Sequence, residues 1–239
     1  MVLAIDEAGL IASRIIEWAE QPLPARFDRA ALTALHAHLF QDFPEYQPGS
    51  YRAPAPQHLK ARALETGPRY YVPYAPRDGL ENRIDAVLAR VDVPAWSQLD
   101  SDAFAATLAD LYADLDYCHP FTEGNSRTLR TFTRAIAQAC GFTLAWGPTS
   151  VTPETRDALY GARDRAVLQR AYPGLDQTQA LATDDRIAYE SWFMLHLVHR
   201  GPDLADVIGA HLHPLTMAPS MLPRPGTPGA SRPRRPLVP

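Results

Sequence analysis

The chain has 239 residues, 46% hydrophobic and 21% charged, so it can bury a core of domain size and is neither a disulfide-stapled miniprotein nor a wholly disordered chain. The net charge is −4, and four arginines (Arg224, Arg232, Arg234, Arg235) follow residue 213 with no acid among them, leaving −8 on residues 1–213. That balance does not suit a general binder of nucleic-acid backbone, and no direct nucleic-acid partner is expected. Of the 23 basic residues only Lys60 is lysine. The two cysteines, Cys118 and Cys140, lack metal-ligand spacing and point to a reducing compartment. Asp6, Glu7, Arg14 and Glu17 interrupt the first twenty residues, so no secretory leader is expected, and no apolar run approaches a membrane span. The expectation is a cytoplasmic protein with no membrane partner, with delivery into a host cell by another route left open.

In chain order, residues 4–20 carry a helical period. Residues 29–43 place Leu32, Leu35, Leu39 and Phe43 on one helix face. Residues 68–75 read as the one strand-like segment, which Pro73 confines to a sheet edge or a short hairpin. Helical periods return over 80–91, over 102–117 (Phe104, Leu108, Leu111, Leu115) and over 126–140 (Leu129, Phe132, Ile136, Cys140), the last stopped by Gly141. Two more run over 154–172 and 185–199. From Pro214 to Pro239 eight prolines break any period, and the segment reads as a disordered tail with a Pro/Arg-rich composition. The fold class is therefore mainly α with one short β-hairpin: one domain over 1–213 and a tail over 214–239.

The chemistry concentrates between two of these helices, in His119-Pro120-Phe121-Thr122-Glu123-Gly124-Asn125-Ser126-Arg127-Thr128-Leu129-Arg130. A histidine ends one helix, a turn containing glycine follows, and the next helix starts near Asn125 or Ser126, both good N-caps. Unpaired N–H groups and the dipole at such a helix start form an anion site. Arg127 and Arg130, three apart, flank it on one face, and their guanidinium forks suit a polyphosphate. Glu123 offers one carboxylate for a Mg²⁺ that takes its other oxygens from phosphate, and His119 can accept a proton from an attacking hydroxyl. On residue types alone, surface ion pairs for the arginines and a helix cap for His119 remain the competing reading.

The segment resembles the signature of the Fic family, HPFx(D/E)GNGRxxR, at His119, Pro120, Phe121, Glu123, Gly124, Asn125, Arg127 and Arg130. Leu35 to Asp42 resembles the family's first core helix and Gly49-Ser50-Tyr51-Arg52 the loop after it, so the resemblance covers about residues 25–200. It implies a Fic-type helical bundle and Mg²⁺-dependent transfer of AMP from ATP to a Ser, Thr or Tyr hydroxyl of a target protein, in a toxin- or effector-like role. It further implies His119 as base, Glu123 as Mg²⁺ ligand, the amides of Gly124, Asn125 and Ser126 as anion hole, and Arg127 and Arg130 on the β- and γ-phosphates. Arg69, Tyr70, Tyr71, Val72 and Tyr74 resemble the family's flap, which positions the target by strand addition.

One position departs from the signature: Ser126 replaces its second glycine. In the Doc branch a lysine there accompanies phosphate transfer, and serine, lacking that cation, implies that AMP transfer is kept. Doc-like phosphotransfer, another nucleotide or phosphocholine donor, and a non-catalytic nucleotide-binding module are the alternatives. The family's inhibitory motif, (S/T)xxxE(G/N), is met from Ser13 to Glu17 but fails at Trp18, which leaves Glu17 to face solvent beside Arg14 and points to a small antitoxin partner as the source of an inhibitory helix, or else to an unregulated enzyme. His36 and His38, the four tryptophans, Cys118 and the His196/His199 pair read as packing or capping residues.

Overall fold

The computed structural model describes residues 6–215 apart from 56, 57, 66 and 68. Its helices are α1 (Glu7–Ala19), α2 (Arg29–Leu39), α3 (Leu80–Leu88), α4 (Val93–Trp96), α5 (Ser101–Cys118), α6 (Asn125–Ala139), α7 (Pro153–Ala171), α8 (Gln177–Ala182), α9 (Arg186–Phe193) and α10 (Leu204–Gly209). Two antiparallel pairs complete it: β1 (His58–Ala63) with β2 (Arg69–Tyr74), and β3 (Phe142–Leu144) with β4 (Leu212–Pro214). Among the described residues no helix is long and apolar enough to cross a membrane.

Aspartates start most of the helices, because a short carboxylate in extended backbone accepts one of the otherwise unpaired first-turn N–H groups. Asp6 accepts from Gly9 at 2.7 Å, Asp28 from Ala31 at 3.0 Å and Asp100 from Ala103 at 2.8 Å. At α6, by contrast, Gly124 stands before the first residue at φ +80° and supplies no side-chain cap. This differs from the expected capping by Asn125 or Ser126, and the reason lies in the loop, where both side chains are engaged elsewhere.

The main core forms where α5 and α6 cross under α2 and α3. Phe104, Leu108, Leu111 and Leu115 of α5 interleave with Leu129, Phe132 and Ile136 of α6 and with Leu32, Leu35 and Leu39 of α2. Each fully buried side chain of this size contributes roughly 1.5–3 kcal/mol relative to an exposed one. A second cluster, with Tyr70, Val72 and Tyr74 of β2 against Val167 and Leu168 of α7 and the buried Trp192 of α9, fastens the hairpin to the helices. Ser191 adds a 2.5 Å hydrogen bond from its hydroxyl to the Tyr71 carbonyl.

Most of the expected helices are present, with shifted ends. The second stops at Leu39, where Phe40 turns out of helical backbone, and the last period splits into α9 and a wide turn over Met194–Val198. Strand content exceeds the expectation. β1 consists of poor strand formers, Lys, Arg and Ala among them, and holds its shape by pairing with β2 in the register Leu59↔Pro73. β3 and β4 have three residues each and pair across about seventy positions, too short and too remote to read from periodicity. Pro214 closes β4, and Leu215 N–H donates to Gly141 O at 2.8 Å, so those two residues of the expected tail pair with the body. The remainder, 216–239, lies outside the described residues.

Candidate active site

α5 ends on His119, whose left-handed backbone (φ +44°, ψ +60°) turns the chain out of the helix. The Arg52 side chain holds this corner: its Nε–H donates to His119 O at 2.8 Å and an Nη2–H to Ala75 O at 2.5 Å. His36 pins the next part of the loop. Its Nδ1 accepts the Gly49 N–H at 2.9 Å, which leaves the proton on Nε2 to donate to Glu123 O at 3.1 Å, while the ring stacks on Phe121 at 3.8 Å. The expected packing role of His36 is thus specific: it ties α2 to the signature loop.

Asn125 closes the turn. Its Oδ1 accepts from Phe121 N–H at 2.9 Å and its Nδ2 donates to Phe121 O at 2.7 Å, so its side chain is a loop fastener and only its backbone faces outward for a ligand. Gly124 cannot carry a side chain here: a Cβ would lie 2.3 Å from the Phe40 ring, at a φ that L residues rarely adopt. The N–H groups of Asn125, Ser126 and Arg127 have no backbone partner among the described residues, as the start of an uncapped helix requires.

Beyond this helix start lies a cavity of about 320 Å³ lined by His119, Glu123, Gly124, Asn125, Ser126, Arg127 and Arg130. All the residues expected from the loop are therefore brought to one hollow. Lys60 and Arg62 of β1 and Tyr160 and Arg163 of α7 complete its wall. Five cationic side chains and one carboxylate make it a site for a polyanion. A larger hollow of about 700 Å³, between residues 24–29 and 85–94, offers neither histidine nor thiol and lies apart from this chemistry.

The cations are held in different ways. Arg127 stacks over Phe40 at 5.0 Å and pairs through Nη1 with Glu7 Oε1 at 2.9 Å, which also accepts from the Tyr46 hydroxyl; that hydrogen bonding holds the Glu7 carboxyl below its usual range. Arg130 reaches Ser126 O at 3.4 Å and Ser150 Oγ at 3.2 Å and has no carboxylate partner among the described residues. Arg62 pairs with the buried Asp164 and donates to the Tyr74 hydroxyl at 2.7 Å. Lys60 stands 3.5 Å from Glu123 Oε1.

His119 is 3% exposed, with the Tyr74 ring centroid at 4.0 Å and the His58 ring centroid at 5.1 Å. Neither of its ring nitrogens has a hydrogen-bond partner among the described residues. Burial, then the nearby Lys60, His58, Arg62 and Arg163, hold its pKa well below the ordinary histidine value, so the ring is neutral near pH 7 and able to accept a proton.

The flap residues occupy β2, but its Tyr70, Val72 and Tyr74 side chains are buried and Ser191 takes the Tyr71 carbonyl. The cavity meets the hairpin through β1, the edge partner, by way of Lys60 and Arg62, which alternate onto one face. Periodicity misses both because β1 has no apolar alternation, although Lys60, the sole lysine, and Arg62 carry the strand spacing. Arg163 and its partner Asp116 are missed too; an acid on the otherwise apolar face of α5 is the one signal for them, because it requires a buried counter-charge.

Glu17 pairs with Arg14 at 2.8 Å and lies 3.8 Å from His38, as expected for a residue beside Arg14. Cys118 and Cys140 are buried free thiols, pushed up to about 12 and about 11 by burial, and no group of three His, Cys, Asp or Glu among the described residues is placed to hold a metal alone. Glu123, half exposed on the cavity rim, still fits a Mg²⁺ that draws its other ligands from phosphate and water.

Residues 26–137 match the profile of the Fic/DOC family. A "Protein adenylyltransferase" of Bartonella henselae is 30% identical over 144 residues, 56% of this chain and 25% of that protein. A "Probable protein adenylyltransferase y4lH" of Sinorhizobium fredii is 31% identical over 131 residues, 53% of this chain and 61% of that one. The matches thus span a quarter and about three-fifths of those relatives' lengths. Among solved structures, the N-terminal Fic domain of a VirB-translocated effector from Bartonella quintana, with bound ADP, superposes at a TM-score of 0.55 with 22% identity, covering 88% of this chain and 84% of that one. BepC of Bartonella tribocorum, with bound AMPPNP, gives 0.54 and 18%, covering 87% and 85%. Residues 26–137, just under half of the chain, thus match the Fic/DOC family, within a fold shared with Fic domains.

Proposed function

We propose that this chain is a protein adenylyltransferase that moves AMP from ATP to a Ser, Thr or Tyr hydroxyl of a target protein, releasing pyrophosphate. The observation that carries the reading is a buried, unpartnered, neutral His119 beside an arginine-lined cavity at the uncapped start of α6. In this reading one His119 ring nitrogen takes the proton of the target hydroxyl as its oxygen attacks the α-phosphorus. The N–H groups of Gly124 to Ser126 and the forks of Arg127 and Arg130 hold the phosphates and the charge that grows on the leaving pyrophosphate. Glu123 would hold a Mg²⁺, which supplies charge neutralisation on the phosphates when bound.

The target must displace part of the hairpin to reach His119, because Tyr74 and His58 cover the ring. Strand addition therefore falls on the outer edge of β1, with Lys60 and Arg62 beside the incoming segment, and the hairpin as a whole takes the flap role assigned to Arg69–Tyr74. Intact-mass analysis of the purified chain with candidate target proteins, run with α- and γ-labelled ATP, tests the reading. A gain of one AMP with retained α-label supports it. A gain of one phosphate with γ-label moves the chain to phosphotransfer.

The same reading includes an inhibitory helix supplied by a small antitoxin partner in the cytoplasm. Its support is that Glu17, the glutamate that the inhibitory motif offers, is taken up by Arg14. Glu17→Gly is expected to leave automodification within about twofold of the unaltered chain, and a rise of tenfold or more would place inhibition within the chain.

A further inference from the structure

Ser126 is the departure from the family signature, and its hydroxyl is already engaged. Arg163 of α7, 1% exposed, donates from Nη1 to Ser126 Oγ at 2.9 Å. The other side of the same guanidinium is fixed: Nε and Nη2 both donate to Asp116, which is fully buried, at 2.9–3.0 Å. Its Cζ lies over the Tyr112 ring at 5.5 Å and over the Tyr160 ring at 5.4 Å. A glycine at 126 would leave the Nη1 donor without this acceptor. The serine and the arginine therefore act as one unit, linking α5, α6 and α7 at the first turn of the anion site.

A hydroxyl that accepts from Arg163 keeps its own proton to donate, to the cavity or to the neighbouring Tyr112 hydroxyl, and Ser126 lies in the cavity wall directly before Arg127 in sequence. Asp116 offsets the arginine charge, so the cavity receives a directed, polarised O–H with a guanidinium donor behind it, not a free unit charge. We propose that Arg163 is a positioning residue that orients the Ser126 hydroxyl onto the polyphosphate of the bound nucleotide, and that the pair sets affinity for the phosphate chain and not for the nucleoside. This rests on the nucleotide reading above.

The test is calorimetric binding of ATP and of AMP, each with Mg²⁺, to the full chain and to Ser126→Ala, Ser126→Thr and Arg163→Lys variants. Losing one hydrogen bond to a charged group predicts roughly tenfold weaker ATP binding by Ser126→Ala, with AMP binding within about twofold. Ser126→Thr, which keeps the hydroxyl, is expected to restore ATP affinity. Arg163→Lys keeps a charge beside Asp116 but loses the fork, and is expected to show the same ATP-selective loss. Equal loss for ATP and AMP, or no loss for either, in Ser126→Ala overturns the inference. Failure of the unaltered chain to bind ATP overturns the nucleotide reading itself, so the two failures are distinguishable.

Discussion

Alanine in place of His119 is expected to lower the rate of transfer by roughly 10²–10⁴-fold while leaving ATP affinity within about twofold. The split follows from position. The imidazole lies against Tyr74 and His58 and makes no hydrogen bond among the described residues, whereas the groups proposed to hold phosphate sit on the first turns of α6 and do not depend on the ring. The pH profile gives an independent readout. Because burial and the surrounding cations lower the His119 pKa, the base remains neutral, hence competent, at pH values where an ordinary histidine near 6.5 would already be protonated. The acid limb of kcat/KM is therefore expected below 6.5, and an acid limb at or above that value, or full activity in His119→Ala, would remove His119 from the role of base.

How much of this was legible in the residues depends on what each one does. The loop from His119 to Arg130 shows itself in sequence because its chemistry is local: a histidine at a helix end, a glycine, a helix start and two arginines one turn apart all lie within twelve positions. Even there the division of labour is invisible. Asn125 reads as a cap or ligand and proves to be a brace across Phe121, while Gly124 is demanded by the Phe40 ring, 84 positions upstream. The far wall cannot be read this way. Lys60, Arg62 and Arg163 reach the cavity from a strand and a helix that only tertiary packing brings near, and no local period marks them. Helix positions were readable because amphipathic stripes repeat over many turns. β3 and β4 were not, since three residues carry no period and their stability comes from pairing remote segments.

The hairpin illustrates the same division. Aromatic and β-branched residues make 69–74 read as a strand, yet those very side chains are what fasten it to α7 and α9. The strand that lines the cavity is the one with the weaker propensity, because its cavity face carries Lys60 and Arg62 in place of apolar residues. Propensity therefore marks the anchored strand of the hairpin and hides the strand that lines the cavity.

The largest loss of stability is expected from Asp116→Ala. The carboxylate is fully buried and both its oxygens accept from Arg163, itself 1% exposed, so removal leaves a guanidinium in the core without its hydrogen-bonded counter-charge, and the remaining nearby acid, Asp164, is already paired with Arg62. Burial opposes charge on Arg163, and Asp116 is the main group that keeps it protonated. Breaking such a pair from one side costs about 3–5 kcal/mol, or a fall in Tm of roughly 6–20 °C for a domain of this size. Replacing both partners, Asp116→Ala with Arg163→Met, removes the stranded charge and is expected to recover more than half of that loss, because an apolar pair needs no desolvated ion. The doubly substituted chain should nevertheless remain weak for ATP, since the hydroxyl of Ser126 has lost the donor that orients it. Thermal unfolding of the two variants beside their ATP affinities separates these effects. A loss below about 1 kcal/mol in Asp116→Ala, or a double variant no more stable than the single one, would mean that the buried pair does not hold α5 to α7.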